Sequence, residues 1–212
     1  MSPDDEPHVI CFKHCRNHIF VLKVPVQCPL CNHPLEQCKN LLPFGLPYPF
    51  VVANQSPCSV VLRPSVGDFL SDFHNNVDLH IAVTDSQGAI VEFDSPGLLR
   101  TANRSVDRKL WGQSLVIVTV PDAWFHHWDT TIVRVIEEQG WKRRIYDSDK
   151  LNCYSFVLAF LRLLLYEPIA AFVENTEAFS RQLIVPKTTQ AAKYITIYRK
   201  IKQFGFLSEP DL

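Results

Sequence analysis

The feature that most constrains the fold is the longest apolar run of the chain, which covers residues 156–166 and is interrupted only by Arg162. A membrane-spanning helix needs about 20 such residues, so this run predicts a helix buried in a protein core. The patterns that precede it are mostly those of strands, and the patterns that follow it are helical. Strands first and helices last favour an α+β fold.

Short runs rich in β-branched residues predict the strands, and the turn Asp-Ser-Gln-Gly at 85–88 joins two of them as a hairpin. Apolar residues at helical spacing after Pro121 predict a helix that Gly140 ends. Asp149 or Asn152 caps the next helix. The predicted strands cover 59–62, 79–84, 89–93, 114–120 and 141–146, and the predicted helices cover 122–140, the segment from 153, 177–183 and 190–204.

Cysteine and proline usage divides the chain into three parts. Four of the seven cysteines lie between Cys11 and Cys31, beside the β-like runs 9–12 and 19–24, so residues 1–38 are predicted to form a small Cys-rich β-hairpin module. Residues 39–57 are rich in proline and predict a linker or an extended wrap. Residues 58–212 then form the α+β domain.

The bulk charge excludes some classes of partner. A net charge of -1 and a pI of about 6.7 do not favour a nucleic acid or a membrane surface as the main partner. Residues 2–6 are acidic, whereas the start of a signal peptide is basic. Crowded cysteines without such a signal favour thiols or a metal over disulfides. We therefore expect an intracellular protein, in the cytoplasm or the nucleus, and the oligomeric state stays open.

Cys153 is the candidate nucleophile, because it stands in the first turn of a predicted helix. Unpaired backbone N–H groups and the positive end of the helix dipole stabilise a thiolate at such a position. His80 is the candidate base, since it lies within a predicted strand and has a fixed position. The other candidates are a loop residue, His74, and two boundary residues of a helix, His126 and His127.

Glu92 is the candidate third member of this site. If the 85–88 turn centres on Ser86, His80 stands directly opposite Glu92, and directly opposite residues share a face of the sheet. Glu92 would then orient the imidazole. Cys153 would attack an amide, thioester or ester carbonyl, with His80 as the base. The backbone N–H of Cys153 would stabilise the oxyanion.

The Cys-rich module predicts a structural Zn²⁺ site. Cys28 and Cys31 form a C-x-x-C turn of the zinc-knuckle type, whose thiolates occupy two corners of a tetrahedron. Cys15 would supply a third ligand, and His14 or Cys11 the fourth. Spacing favours Cys11, because adjacent His14 and Cys15 point apart on a regular strand and both can bind only in a turn. The spare candidates nearby are His33 and Cys38.

The segment 152–156, Asn-Cys-Tyr-Ser-Phe, together with the strand histidine, resembles the circularly permuted papain-like proteins of the NlpC type. These include the lecithin:retinol acyltransferase-like enzymes and the PPPDE deSUMOylating isopeptidases, in which a strand histidine precedes Asn-Cys-x-x-Phe. In the acyltransferase group a polar residue follows that histidine by twelve positions, which corresponds here to Glu92. The resemblance spans roughly residues 78–165. It implies an antiparallel sheet packed on helices, with Cys153 as the nucleophile and His80 as the base.

A second resemblance rests on motifs spread over nearly the whole chain. They are His14-Cys15, Cys-Pro-Leu-Cys at 28–31, Leu-Arg-Pro at 62–64, Asp-Leu-His at 78–80, Asn-Cys-Tyr-Ser at 152–155, Val-Pro-Lys-Thr at 185–188, Ile-Thr-Ile-Tyr-Arg at 195–199 and Gly-Phe at 205–206. This set resembles the makorin-2 opposite-strand protein family, which carries little functional information. It implies His14 with Cys15 as the ligand pair. It also implies that position 92 need not be acidic, although an amide there can orient a histidine too.

Two function hypotheses follow. The first is an intracellular thiol hydrolase, isopeptidase or acyl transferase that uses a Cys153–His80 dyad. The second is a non-catalytic interaction protein, in which a zinc-bound hairpin braces a papain-like scaffold. A protein partner, or a protein or acyl substrate, is expected, with no nucleic acid and no membrane span. A sulfur-to-ring contact that opens onto a cleft favours the first hypothesis, and burial of both groups without a cleft favours the second.

Overall fold

The computed structural model describes residues 8–211, and the acidic segment 2–6 lies outside them. The described chain forms two compact units, one of residues 8–49 and 191–211 and one of residues 50–190. This division differs from the predicted boundaries at 38 and 57. The main difference is that the C-terminal segment from 191 onward belongs with the N-terminal unit.

The described residues contain nine strands and six α-helices. The strands are β1 Ile10–His14, β2 Asn17–Val21, β3 Phe44–Gly45, β4 Ser59–Pro64, β5 Leu79–Thr84, β6 Ile90–Asp94, β7 Gly97–Thr101, β8 Leu115–Thr119 and β9 Leu207–Pro210. The helices are α1 Arg108–Trp111, α2 Phe125–Glu138, α3 Cys153–Leu164, α4 Glu167–Ala170, α5 Thr176–Phe179 and α6 Val185–Phe204. Within residues 8–211, no helix is both long and apolar enough to cross a membrane.

The first unit contains a four-stranded antiparallel sheet in the order β3-β1-β2-β9. The predicted hairpin is its centre, and the chain returns at its C-terminal end to add β9 beside β2. Cys15 and Arg16 connect β1 to β2 with φ angles of 52° and 60°. Two-residue hairpin loops require such positive values. Phe12, Ile19 and Leu35 are among the buried residues of its small core.

The second unit contains a five-stranded antiparallel sheet in the order β7-β6-β5-β4-β8. The helices α2 and α3 pack against each other, and α3 also packs against β5 and β6. Both units therefore combine antiparallel sheets with helices, which confirms the predicted α+β class. The strand β7 has no counterpart among the predicted elements.

Large aromatic side chains form part of the buried core of the second unit. The ring of Trp141 lies 5.0 Å from that of Phe93 and 5.2 Å from that of Phe156, both edge-on. The indole N–H of Trp128 donates to the carbonyl of Thr84 at 2.8 Å. The predicted strand 141–146 is wrong, because Gly140 adopts a φ of 67° and the chain continues as a short 3₁₀ turn.

The β5–β6 hairpin has a different register from the predicted one. Thr84 pairs with Ile90 and Val83 with Val91, and the Asp85 N–H donates to the Ala89 carbonyl at 2.9 Å. The loop therefore has three residues, and its last residue, Gly88, has a φ of 76°, as three-residue hairpin loops require. A β-carbon at Gly88 would stand 2.2 Å from a backbone oxygen of Asn54. The predicted centre at Ser86 is wrong, so Glu92 is shifted by two residues from the place opposite His80.

The last long helix begins earlier than predicted. It starts as α6 at Val185 rather than at 190, and it follows a π-helical turn, Ser180–Ile184, without a break. Pro186 has no N–H to donate to the preceding turn, and a wider π-turn accommodates such a gap. The predicted helix 177–183 is therefore divided between α5 and this π-turn.

Candidate functional site

Cys153 is the first residue of α3, and Asn152 is the residue that caps this helix. The side chain of Asn152 accepts the Ser155 N–H at 3.2 Å, and the Ser155 hydroxyl accepts the Asn152 N–H at 3.2 Å. This reciprocal capping box starts the helix, so the cap is Asn152 and not the alternative, Asp149. It satisfies one N–H of the first turn. The N–H groups of Cys153 and Tyr154 belong to the part of a helix that has no intrahelical partner.

His80 interacts with both Cys153 and Glu92. Its Nε2 lies 2.8 Å from Oε2 of Glu92, and the side chain of Cys153 is close enough to the ring to raise its pKa. The observed register differs from the predicted one by two residues. Side chains alternate along a strand, so Glu92 is still on the same face of the sheet as His80. All three predicted residues of this site therefore meet.

The surroundings of His80 change its protonation. Burial by itself lowers the pKa of His80, but hydrogen bonds to Cys153 and then to Glu92 outweigh it and raise the pKa to about 9. Because one ring nitrogen is bonded to Glu92, the other is left for Cys153. The raised pKa means that the surroundings stabilise the charged form of the ring.

Cys153, His80 and Glu92 are all closed to solvent. Cys153 and His80 are each 4% exposed and Glu92 is 8% exposed. The edge of the Trp111 ring also packs against His80, with the ring centres 6.0 Å apart. A substrate would therefore reach the sulfur only after a local opening.

Arg63 is a further charged residue of the site that the sequence did not single out as functional. It pairs directly with His80 across β4 and β5, and it is 6% exposed. Burial lowers the pKa of Arg63, whereas the carboxylates of Glu92 and Asp94 raise it. A buried guanidinium needs such opposite charges. Leu-Arg-Pro at 62–64 was one of the family motifs, but only strand pairing shows that its arginine lies beside the histidine.

The contacts of Arg63 hold it in place. Its Nη1 donates to the carbonyls of Pro64 at 3.0 Å and Ser65 at 3.2 Å, and its guanidinium carbon lies 4.8 Å from the centre of the Trp111 ring. Its Nε is buried without a hydrogen-bond partner among the described residues.

Asp94 completes a group of three possible metal donors with His80 and Glu92, whose ligand atoms lie within 4.8 Å of one another. In this group Nε2 of His80 is already engaged by Glu92. The buried cation of Arg63 lies close enough to interact with both carboxylates. The group is therefore better described as part of the charge balance around Cys153.

The other candidate bases lie elsewhere. His74 and His126 are exposed. His127 is also exposed, and its Nε2 donates to the Leu164 carbonyl at 3.0 Å. Of the four histidines considered as the base, His80 is the one that the structure brings to Cys153.

A second cluster lies in the first unit and consists of His14, Cys15, Cys28 and Cys31. Their ligand atoms all lie within 4.8 Å of one another. Nδ1 of His14 is 3.0 Å from Sγ of Cys15 and 3.7 Å from Sγ of Cys31. His14 ends β1 and Cys15 begins the turn, so the two neighbours can face the same point. This is the ligand pair that the family resemblance implied.

Cys11 does not belong to this cluster, although its spacing to Cys15 had favoured it. It lies within β1, where it is buried, and its Sγ is 3.8 Å from Nδ1 of His18. Cys11 lies near the start of β1, whereas Cys15 lies in the turn beyond the end of that strand. The C-x-x-x-C spacing therefore does not describe the ligand geometry.

Backbone groups surround the thiols of the cluster. The Leu30 N–H donates to Sγ of Cys28 at 3.4 Å. The backbone N–H of His33 hydrogen-bonds to Cys31 and lowers the pKa of that thiol. Cys15 is exposed, and interaction with Cys31 is the main cause that raises its pKa to about 12. All seven cysteines lie within the described residues, and all are free thiols.

These features define an α+β protein with a buried thiol–histidine–carboxylate chain in one unit and a cluster of one histidine and three cysteines in the other. Two family profiles match the sequence: DUF4796 C-terminal over residues 43–201 and DUF4796 N-terminal over residues 7–35. The human MKRN2 opposite strand protein is 30% identical over 202 residues, which cover 93% of this chain and 87% of the human protein. The chain therefore belongs to the MKRN2 opposite strand protein family, as its motifs predicted. No solved structure matches it.

Proposed function

We propose that this protein is a thiol hydrolase or acyl transferase with Cys153 as nucleophile, His80 as base and Glu92 as the group that orients the imidazole. One observation carries the proposal. His80 Nε2 lies 2.8 Å from Oε2 of Glu92, and Cys153 is close enough to the same ring to raise its pKa. A nucleophile, a base and a third group that fixes the base are the parts that covalent acyl transfer requires.

The proposed chemistry has two stages. Sγ of Cys153 attacks the carbonyl carbon of an amide, thioester or ester, while the proton of the thiol is held by His80. The bond from the carbonyl carbon to the leaving group then breaks, and His80 gives its proton to the leaving group. Water resolves the resulting thioester in a hydrolase, and an acceptor amine or alcohol does so in a transferase.

The helix start supports the same proposal. The tetrahedral intermediate carries a negative oxygen. The backbone N–H of Cys153 lies at the positive end of the helix dipole, in the first turn, where N–H groups have no intrahelical partner. Backbone N–H groups are the usual donors to such an oxygen. A strand histidine followed by a helix that begins Asn-Cys is also the order of the papain-like resemblance, and an isopeptide or another acyl group on a protein would be the substrate.

Labelling with a small iodoacetamide probe near neutral pH tests the proposal. The modified peptides are identified by mass spectrometry, so that Cys153 and Cys58 are compared in the same molecule. Cys58 is a buried thiol of the same unit, and burial, together with Asp129, raises its pKa to about 12. Both thiols are buried, so the probe reaches either one only after a local opening, and we expect Cys153 to react faster than Cys58.

Two variants separate the dyad from simple exposure. His80→Gln preserves polarity and approximate size but removes the base, and it should slow labelling of Cys153 by about 100-fold, the lower end of general-base effects. Cys58→Ala should leave labelling of Cys153 unchanged. If native Cys153 reacts no faster than Cys58, or if His80→Gln leaves the labelling of Cys153 unchanged, the catalytic proposal should be dropped.

Burial of the site favours a second candidate function, a non-catalytic scaffold for protein interaction. Cys153 and His80 are each 4% exposed, and burial of both groups is the arrangement expected of a non-catalytic scaffold. In this alternative the Cys153–His80–Glu92 chain stabilises the second unit and Cys153 resists labelling until the protein unfolds. The iodoacetamide experiment therefore distinguishes the two functions directly.

We also propose that His14, Cys15, Cys28 and Cys31 bind a structural zinc ion. Three thiolates and one imidazole are an ordinary ligand set for tetrahedral zinc, and a C-x-x-C turn with N–H groups directed at its sulfurs is typical of such sites. Zinc would join the β1–β2 turn to the 28–31 turn. In zinc-finger peptides this binding amounts to about 10–16 kcal/mol, which is enough to dominate the stability of a small unit.

Metal analysis of the purified protein tests the zinc proposal. We expect about one equivalent of zinc in the native protein and a loss of that zinc in Cys28→Ser. Cys11→Ser is the matched control, because Cys11 is a buried cysteine of the same unit outside the cluster. Less than about half an equivalent in the native protein, unchanged in Cys28→Ser, would argue against the site.

A further inference from the structure

The edge of His14 that faces away from the cluster contacts another thiol. Nδ1 of His14 is the nitrogen near the sulfurs of Cys15 and Cys31. Nε2 lies 3.4 Å from Sγ of Cys38, which is within hydrogen-bonding distance for sulfur. Cys38 is not one of the four residues whose ligand atoms converge.

Cys38 itself is held in place from three sides. Its thiol donates weakly to the Pro34 carbonyl at 3.9 Å, so its lone pairs are available to His14. Its backbone N–H donates to the Leu35 carbonyl at 3.1 Å and closes a 3₁₀ turn. Its side chain also packs against the buried core of the first unit. These three contacts fix the position of the Cys38 sulfur.

The His14 ring is also fixed on its face. The ring of His33 stacks on it at an interplanar angle of 15°, with the centres 6.2 Å apart. Cys38 meets one edge of the His14 ring, and the cluster meets the other.

From this geometry we infer that Cys38 is a positioning residue of the metal centre, which accepts the Nε2–H of His14 and thereby directs the lone pair of Nδ1 at the metal. The inference rests on the zinc proposal. A metal-binding histidine usually gives its second N–H to an outer partner, which fixes its tautomer and ring orientation. In this centre a thiol takes that place, and a cysteine that the C-x-x-C pattern does not include becomes part of the site.

Zinc affinity of the full-length protein, measured by competition with a chromophoric chelator, tests the inference. Cys38→Ala should weaken zinc binding about 10- to 100-fold, the usual effect of removing an outer partner. Cys38→Ser should recover much of the loss, because a hydroxyl also accepts a hydrogen bond. Cys11→Ser, a substitution of a nearby thiol outside the cluster, should have no effect.

Cobalt substitution separates positioning from direct binding. The sulfur-to-cobalt charge-transfer band should have the intensity of three thiolates in both the native protein and Cys38→Ala. The ¹⁵N shifts of His14 should show a protonated Nε2 in the native zinc form, and exchange between ring states in Cys38→Ala.

Each outcome decides between proposals. An unchanged zinc affinity in Cys38→Ala overturns the role of Cys38 while leaving the zinc centre intact. A charge-transfer band that weakens by one thiolate in Cys38→Ala also overturns it, because Cys38 would then be a ligand. A native protein that binds neither zinc nor cobalt overturns the centre itself and the inference with it.

Discussion

Replacing Cys153 by alanine tests the candidate site through the protonation of His80. In the native protein burial has the largest influence and lowers the pKa of His80. The Cys153 hydrogen bond has the next largest influence, the Glu92 hydrogen bond the third, and both raise the pKa. Without Cys153, burial outweighs Glu92, so the direction of the shift should reverse.

The structure sets the size of this effect. The pKa of His80 should fall from about 9 to below its ordinary value of 6.5. A change of that size corresponds to about 3 kcal/mol of differential interaction between the charged and neutral rings. Near neutral pH, above 6.5, the ring is therefore mostly charged in the native protein and mostly neutral in Cys153→Ala.

An NMR titration with ¹³C-labelled histidine measures the change. The chain has eight histidines, so the signal of His80 is assigned by its loss in His80→Gln. Cys58→Ala removes a buried thiol elsewhere in the same unit and should leave the midpoint near 9. A native midpoint near 6.5, or a midpoint that Cys153→Ala does not move, would refute the reasoning.

Three further substitutions test neighbouring parts of the second unit. Glu92→Gln should lower the pKa of His80 in the same titration, but by less than Cys153→Ala does, because Cys153 has the larger influence. A larger fall in Glu92→Gln would reverse that ranking. Asn152→Ala removes the cap of α3 and should cost about 0.5–2 kcal/mol of the free energy of unfolding in urea. Trp128→Phe leaves the Thr84 carbonyl without its indole donor and should cost about 1–3 kcal/mol. An unchanged urea midpoint in either variant would contradict the role of that hydrogen bond.

His80 and Cys153 could be predicted from the sequence because local rules of strand and helix formation position them. His80 lies in an alternating strand, and Cys153 follows an Asn152 cap that the sequence itself provides. Glu92 was chosen for a register that the structure contradicts. It still reaches His80, because the error was two residues and side chains repeat every two residues along a strand.

The residues of the His14, Cys15, Cys28 and Cys31 cluster show what local sequence patterns cannot predict. Cys28 and Cys31 form a turn motif that can be recognised from four residues. The choice between His14 and Cys11 depended on where β1 ends, and the boundaries of strands are less certain than their existence. The contact of Cys38 with His14 links residues 24 positions apart and has no signature in the spacing.

The sequence by itself determined the α+β class, most of the elements, the two groups of candidate site residues and the family. These follow from periodicity, caps and short motifs, which act over a few neighbouring residues. Only the tertiary structure decided that β9 returns to the first sheet, that Arg63 lies buried beside His80, and that the thiol, imidazole and carboxylate are closed to solvent. Those features depend on strand pairing and packing between distant segments, which no local pattern specifies.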